Sequence, residues 1–560
     1  MSTTEGVVAT DDPIASRIGA EALAAGGNAI DAAAASAFAL GVVNPTSSGI
    51  GGGGFAVVYV ANERKLYAID FRETAPAALR PASFERDGTL DPSLSRTGGL
   101  AVGVPGEVAG LEHLVTRLGR RSFRSAVQPA QELAARGFPA SWFLSRGAVL
   151  MTPIVELGTP LRALLFPAGL PLAEGAMVRR PELADTLAAI GRRGSAGFYR
   201  GPVAADIIET VQRGGGVMTA EDLASYRVVE REPLVGTWRG LRIATMPLPS
   251  SGGIVLLEAL GILDATGIDL GSLGAGSSGY LHLIAEVLKH TFADRARFLG
   301  DADPARLAEG PLLDPARLAA VARRIDPTRV APHESYGDRR LGKAAGAPAR
   351  GDGTSHLCVI DAEGNAVALT TTVNGYFGAK LRTPKSDVVL NNQIDDFALA
   401  AGVPNMFGLV QSEFNLVAPG KRPLSSMSPT LVLDGDRVVG CLGGSGGPRI
   451  ISNTLQVLLS HFALGMDAAE AVNTPRLHHQ WMPDELVLEA EISPDTVEAL
   501  RRRGHKLRIS SWRTSPSAVQ AIFVDASGVR EAASDPRKRG QPAVSASERV
   551  GAPSGLAAAR

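Results

Sequence analysis

Two cysteines, Cys358 and Cys441, are all that the 560 residues contain. That number excludes a disulfide framework and a cysteine-based zinc or iron–sulfur centre; it leaves open one bridge between the pair, and with it the redox compartment. Charge of one sign is equally lacking, since 56 Lys and Arg stand against 57 Asp and Glu for a formal net charge of −1. Nothing in that balance draws the chain to nucleic acid or to an anionic membrane surface. Long apolar runs are also missing. The most apolar early stretch, Ile30 to Val43, contains Asp31 and Ser36 and falls short of the roughly 20 residues that span a bilayer, so it reads as a buried core helix. Met1 to Glu5 carries no basic region followed by an apolar stretch and a cleavage site. As given, the chain is expected to be cytoplasmic, or periplasmic or extracellular if a leader has been removed.

What the chain does have is apolar residues, 45% of the total, and 64 glycines, a share above the usual roughly 7%. It is long enough for two or more domains or one large layered one. Asp12 as cap and Pro13 in the first turn open a helix that Gly26 and Gly27 stop, and a second helix leads into the glycine run Gly49 to Gly54. Phe55 to Val60 and Leu66 to Phe71 read as strands, and Arg72 follows directly. From about Pro105 to Val321 the apolar spacing is mostly helical, a scaffold around sheet edges. Leu341 to Gly353 reads as an exposed loop and ends abruptly at a hairpin, with Thr354 to Ile360 out and Ala366 to Val373 back. Further strands are predicted at Thr430 to Leu433 and Arg437 to Leu442, with a helix from about Pro448 to Leu464. The stretch from Lys538 loses apolar periodicity and is expected to be a disordered tail.

Several motifs admit two readings. The run Gly49 to Gly54 contains G-x-G-x-x-G, but a helix precedes it and a strand follows, the reverse of a dinucleotide fingerprint; it fits a turn that lets backbone approach backbone. Gly443 to Gly447 matches G-x-S-x-G between a strand and a helix. It fits a serine nucleophile at Ser445, with Asp484, Asp495 and His505 following in triad order. It equally fits a row of backbone N–H donors for an anion or oxyanion. His478 and His479 lack any metal-ligand spacing, so no metal is expected there. Asn391 to Asp396 reads on pattern alone as an ordinary polar turn. Thr354 begins a strand straight after flexible Gly353. Were the bond between them cut, the new α-amine, with a pKa of about 8, could act as base for its own hydroxyl.

Six segments in consistent order, GGNAIDAA at Gly26, SSGIGGGGF at Ser47, FRETAP at Phe71, TSH at Thr354, NNQIDDF at Asn391 and RPLSSMSPT at Arg422, resemble the γ-glutamyltranspeptidase family of N-terminal nucleophile hydrolases. The likeness runs from about Gly6 to Arg537. It implies an α/β fold, the four-layer αββα sandwich, built from a precursor that cuts itself between Gly353 and Thr354. Residues 1–353 would form a large subunit carrying Arg72, and residues 354–560 a small subunit opening at Thr354. Together these fragments would make one core and a heterodimer. The resemblance makes Thr354 the nucleophile and Thr372 the threonine that orients it, with Gly446 and Gly447 as oxyanion donors. Asn374, Gln393 and Asp396 would hold a substrate α-ammonium, and Arg72, Ser425 and Ser426 its α-carboxylate. Phe407 would belong to a lid over the site, at a position where many bacterial members carry tyrosine. The implied activity is γ-glutamyl transfer from a small glutathione-like donor to water or to an amine, with no cofactor, no nucleic acid and no membrane. The alternatives are a related acylase, acting on a cephalosporin side chain or poly-γ-glutamate, and an uncleaved non-enzymatic homologue.

Overall fold

A computed structural model of the chain describes residues 1–155, 158–301, 309–338, 341, 352–511 and 517–545. Two seven-stranded sheets lie face to face at its centre. The first runs Ser2–Thr3, Arg530–Ser534, Val519–Val524, Arg437–Gly444, Thr430–Asp434, Leu241–Thr245 and Leu234–Trp238; the second runs Ala543–Val544, Val7–Thr10, Asp352–Ile360, Ala366–Gly375, Gly53–Val60, Lys65–Phe71 and Val229–Arg231. Every pairing in both sheets is antiparallel.

The central strands are apolar on both faces because both faces are covered. Along the second sheet Val8, Val58, Val359 and Val367 point outward to one helical layer, while Ala9, Val57, Cys358 and Ala368 point inward. Along the first, Val432, Leu442 and Phe523 point to the other helical layer, while Leu431, Cys441 and Ile522 point inward. The period of two thus sorts one continuous apolar run into a central layer and two outer ones, which gives the order αββα. Cys358 and Cys441 meet in the central layer as a disulfide, with Cα atoms 5.8 Å apart. No helix among the described residues is long and apolar enough to cross a membrane.

Outside the second sheet, the helix Ala29–Val43 is buried almost all round. Its alanines let it lie flat against the strands, and a capping box between Asn28 and Asp31 fixes its start. Asp12 and Pro13 open the preceding helix, Pro13–Ala24, as expected. The helices Gly252–Ala265, Ser278–Phe298 and Arg449–Phe462 belong to the cover of the first sheet. The glycine run is a close-approach device: a Cβ on Gly52 would lie 2.0 Å from the Thr372 carbonyl oxygen, and one on Gly54 2.1 Å from that of Thr370.

Two expectations need correction. The stretch from Lys538 is ordered as far as Ser545: Lys538 is 4% exposed and Ala543–Val544 is an edge strand of the second sheet. Charge had masked burial there, because Arg537 is held by Glu489 and Asp535 and brings Lys538 inside. Inside the segment read as mostly helical lie three strands: Val229–Arg231 and Leu234–Trp238 are sheet edges, and Leu241–Thr245 is paired on both sides, with Leu234–Trp238 and Thr430–Asp434. Most of the expected loop before Gly353 lies outside the described residues.

Candidate active site

The strand Asp352–Ile360 carries Gly353 and Thr354 without a break, and its pairing with Ala366–Gly375 shifts register between these two residues. Gly353 opposes Asn374 and Thr354 opposes Thr372, so Val373 is the extra residue of a bulge. Asn374 sits in the left-handed region at φ 77° to accommodate it. The bulge places one hydroxyl against three groups. Thr372 Oγ1 lies 3.0 Å from Thr354 Oγ1, 2.6 Å from the Gly353 carbonyl oxygen and 2.8 Å from the Asn374 N–H. A carbonyl only accepts, so the Thr372 proton goes to Gly353, and Thr372 accepts from both Asn374 and the Thr354 hydroxyl.

Thr354 lines a small open pocket together with Arg72, Thr372, Asn374, Gln393, Asp396, Phe407, Ser425, Ser426 and Gly447. Every side chain assigned from sequence to the reaction or the substrate therefore reaches one place. Gly446, at φ 123°, lies one residue behind Gly447 and packs on Ser517, and the helix Arg449–Phe462 begins just beyond. Phe407 covers Gly447, where an added Cβ would meet its ring at 2.9 Å. The Phe407 segment is tied down by Asn405, whose side chain accepts from the N–H groups of Phe407 and Leu409.

The motifs converge because polar side chains tie them together. Arg422 donates to Asp70 Oδ1 at 2.6 Å and to the Arg72 carbonyl at 2.8 Å, joining the end of the Lys65–Phe71 strand to the paired serines. Asn391 donates to the carbonyls of Gly51 and Gly103. The Gln393–Asp396 segment is a single 3₁₀ turn, as its pattern suggested, and the turn aims Asp396 into the cavity. Arg72 Nη2 meets Asp396 Oδ2 at 2.5 Å, and Gln393 adds a bond to the same oxygen. Burial raises the Asp396 pKa above the ordinary carboxylate value, and Arg72 and then Arg295 pull it back. The groups assigned to opposite ends of a substrate thus touch each other. That suits an α-amino acid head, whose ammonium and carboxylate hang from one carbon.

Three groups at the site were missed. Lys538 Nζ donates to the Thr354 carbonyl at 2.5 Å and pairs with Asp11 at 3.0 Å. Arg295 stands behind Ser426. Glu73, next to Arg72, is buried with neither carboxyl oxygen hydrogen-bonded, Arg72 Nη1 standing 3.9 Å from Oε2, and burial lifts its pKa to about 8. The FRETAP motif contained Glu73 in plain view; Arg295 and Lys538 carried no local signal.

Glu107, below the site, is lifted to about 8 by burial as well, against the one hydrogen bond from Thr371. A buried carboxyl with a raised pKa favours the fold below the ordinary value of 4.5 and loses that advantage as pH climbs through 8. Wild-type melting temperature is therefore expected to fall from pH 5 to pH 9, and Glu107→Gln to flatten that fall while changing little at pH 5. Parallel curves in a calorimetric pH series would refute this.

The serine reading of Gly443 to Gly447 has no base to support it. Ser445 is fully buried and its Oγ reaches only the Ala518 carbonyl, at 3.4 Å. His505 bonds to His282, Asp484 pairs with Lys506, and Asp495 is exposed. Ser445→Ala is expected to leave turnover within about fivefold, the scale of one weak hydrogen bond. His478 and His479 are packed: the first bonds Ser452 and Gln480, and the second accepts from the Trp481 N–H.

A threonine at a bulged strand start, between two sheets covered by helices, defines the class of N-terminal nucleophile hydrolases. Within that class the chain belongs to the γ-glutamyltranspeptidase family, whose model matches residues 15–545. It is 39% identical over 535 residues to the glutathione hydrolase proenzyme of Escherichia coli (strain K12), covering 95% of this chain and 90% of that protein. Among solved structures it resembles a cephalosporin acylase from Bacillus halodurans with a TM-score of 0.83 at 27% identity, over 97% of this chain and 96% of that one. A γ-glutamyltranspeptidase from Helicobacter pylori matches with a TM-score of 0.55 at 39% identity, over 58% of this chain and 93% of that one.

Proposed function

We propose that the chain is a self-cleaving γ-glutamyltransferase and glutathione hydrolase. The observation that carries this reading is the Thr372 hydroxyl, set between Thr354 Oγ1 and the Gly353 carbonyl. In maturation Thr354 Oγ1 attacks the Gly353 carbonyl carbon, whose oxygen Thr372 already polarises. The peptide nitrogen leaves as the Thr354 α-amine, and water opens the ester to free a Gly353 carboxylate. Both sheets draw strands from either side of that bond, since Val7–Thr10 pairs with Leu357–Ile360 in the second sheet and Arg242–Thr245 with Thr430–Leu433 in the first. The fragments 1–353 and 354–560 would accordingly stay together as a heterodimer.

In turnover the donor's α-ammonium sits on Asp396, Gln393 and Asn374, and its α-carboxylate on Arg72, Ser425 and Ser426. The γ-carbonyl then lies at Thr354. The free α-amine takes the Thr354 proton, and the N–H groups of Gly446 and Gly447 receive the oxyanion. The leaving amine departs with a proton, and the γ-glutamyl ester passes to water or to an amino acid or peptide amine. The glutathione hydrolase names of the relatives favour glutathione as donor. All the groups this chemistry requires are side chains and backbone of the chain itself.

The test is to incubate the purified chain, separate it on a denaturing gel, read any new N-terminus, and assay release of cysteinylglycine from glutathione with and without an acceptor dipeptide. Two fragments, one beginning at Thr354, together with release of the dipeptide, are expected. A chain that stays whole would refute the reading. The likeness to a cephalosporin acylase favours a second reading, an acylase for donors without an amino acid head; turnover of such donors that survives Arg72→Ala would decide for it.

A further inference from the structure

Behind the serine pair of the glutamyl pocket stands one more guanidinium than the clamp accounts for. Arg295, near the end of the helix Ser278–Phe298, is 2% exposed. Its Nε donates to Ser251 Oγ at 2.9 Å and its Nη2 to Ser426 Oγ at 3.4 Å, while Nη1 is buried with no hydrogen-bond partner. Ser251 Oγ in turn donates to the Ser425 carbonyl at 2.6 Å, so Arg295 reaches both members of the serine pair. It is also close enough to the ion pair for Asp396 and Arg72 to act on it. Burial lowers its pKa to about 10, Asp396 opposes that shift and Arg72 adds to it.

The charges around the pocket do not cancel. Arg72 and Arg295 are positive and Asp396 is negative, while Glu73, lifted to about 8, is neutral at pH 7. One positive charge is left over, and it belongs to a group with an idle donor. A buried guanidinium without a full set of acceptors is costly, and among the described residues Nη1 has no hydrogen-bond acceptor. A γ-glutamyl head would supply one. Its ammonium goes to Asp396, which frees Arg72 for the carboxylate, and the carboxylate then meets Arg72 directly and the charge of Arg295 across the serine pair.

Resting on the γ-glutamyl reading above, we infer that Arg295 is a specificity-determining positioning residue. It holds Ser425 and Ser426 in place and directs a second positive charge at the donor's α-carboxylate, so that the site selects donors in which this group is free. The pocket accordingly rejects α-amidated donors more strongly than Arg72 alone would.

The test compares two donors, L-glutamic acid γ-(4-nitroanilide) and the same compound with its α-carboxylate amidated, on the self-cleaved wild type, Arg295→Gln and Arg295→Lys. Wild type is expected to favour the free acid. Arg295→Gln is expected to lower kcat/KM for the free acid about 10²-fold, mostly through KM, and for the amide by less than about threefold. Arg295→Lys, which keeps the charge and loses the fork, should recover part of the discrimination. An equal fall with both donors would reduce Arg295 to a structural role and overturn the inference, leaving the γ-glutamyl reading intact. Wild type that turns over neither donor, and binds neither L-glutamate nor its α-amide in a calorimeter, would overturn both. If Arg295→Gln fails to fold, judged by self-cleavage and melting, the Lys variant carries the comparison: an equal fall in kcat/KM with both donors would overturn the inference, and a fall confined to the free acid would support it.

Discussion

Thr354→Ala is expected to leave the chain in one piece and to cut γ-glutamyl turnover by at least about 10⁴-fold, the scale on which removing a nucleophile acts in a concerted site. Both losses follow from one atom. In the uncut chain Thr354 Oγ1 shares Thr372 Oγ1 with the Gly353 carbonyl, and in the proposed turnover the same oxygen would attack the γ-carbonyl of the donor. The surroundings survive the substitution, because Thr372 still donates to Gly353 and the Lys538 bond is to the Thr354 backbone. Thr354→Ser is the control for both roles: it should still cut itself and turn over, more slowly, since it keeps the hydroxyl and drops only the methyl group. A gel with N-terminal sequencing, alongside donor turnover, reads all three chains. Cleavage of Thr354→Ala at an unchanged rate would place the nucleophile elsewhere.

The hairpin that carries Thr354 was legible because its signals are local. A glycine before a β-branched strand, a D-x-x-G turn and an apolar return strand name a position within a residue or two. Arg72 could be read in the same way, directly after a strand. The bulge at Val373 could not, since a register shift is decided by what opposes the strand and leaves no mark in its own residues. Distance along the chain hid the rest. Arg72 and Asp396 are 324 residues apart, and Lys538 is 184 residues from the carbonyl it holds. Arg295 sits on a helix inside the segment read only as mostly helical, and only the fold shows that this turn reaches the serines. The edge strand Leu234–Trp238 and its neighbour Leu241–Thr245 are partly exposed and short, so their alternation is weak beside the strong helical periods around them.

Breaking the Arg72–Asp396 pair is the second large effect expected. Asp396→Asn and Arg72→Gln should each lower kcat/KM for a γ-glutamyl donor by about 10²- to 10³-fold, since each strands a buried charge and removes one arm of the clamp. The increase should fall mainly on KM, with a smaller loss in kcat because the γ-carbonyl is positioned through the same head group. The double variant is expected to be little worse than the poorer single one. Neither charge is then left unpaired, and in the empty site the two groups satisfy each other at 2.5 Å. Additive losses in that cycle would mean that the arms act independently and that the observed pairing is incidental. Acid should mimic Asp396→Asn. The Asp396 pKa is raised by burial, so the carboxylate protonates at a pH above the ordinary carboxylate range, and donor binding falls as pH drops through that value. Asp396→Asn should abolish that acid limb in the kcat/KM profile. A limb that persists would transfer the titration to another group, of which Asp395, lifted to about 6 by burial, is the next in line.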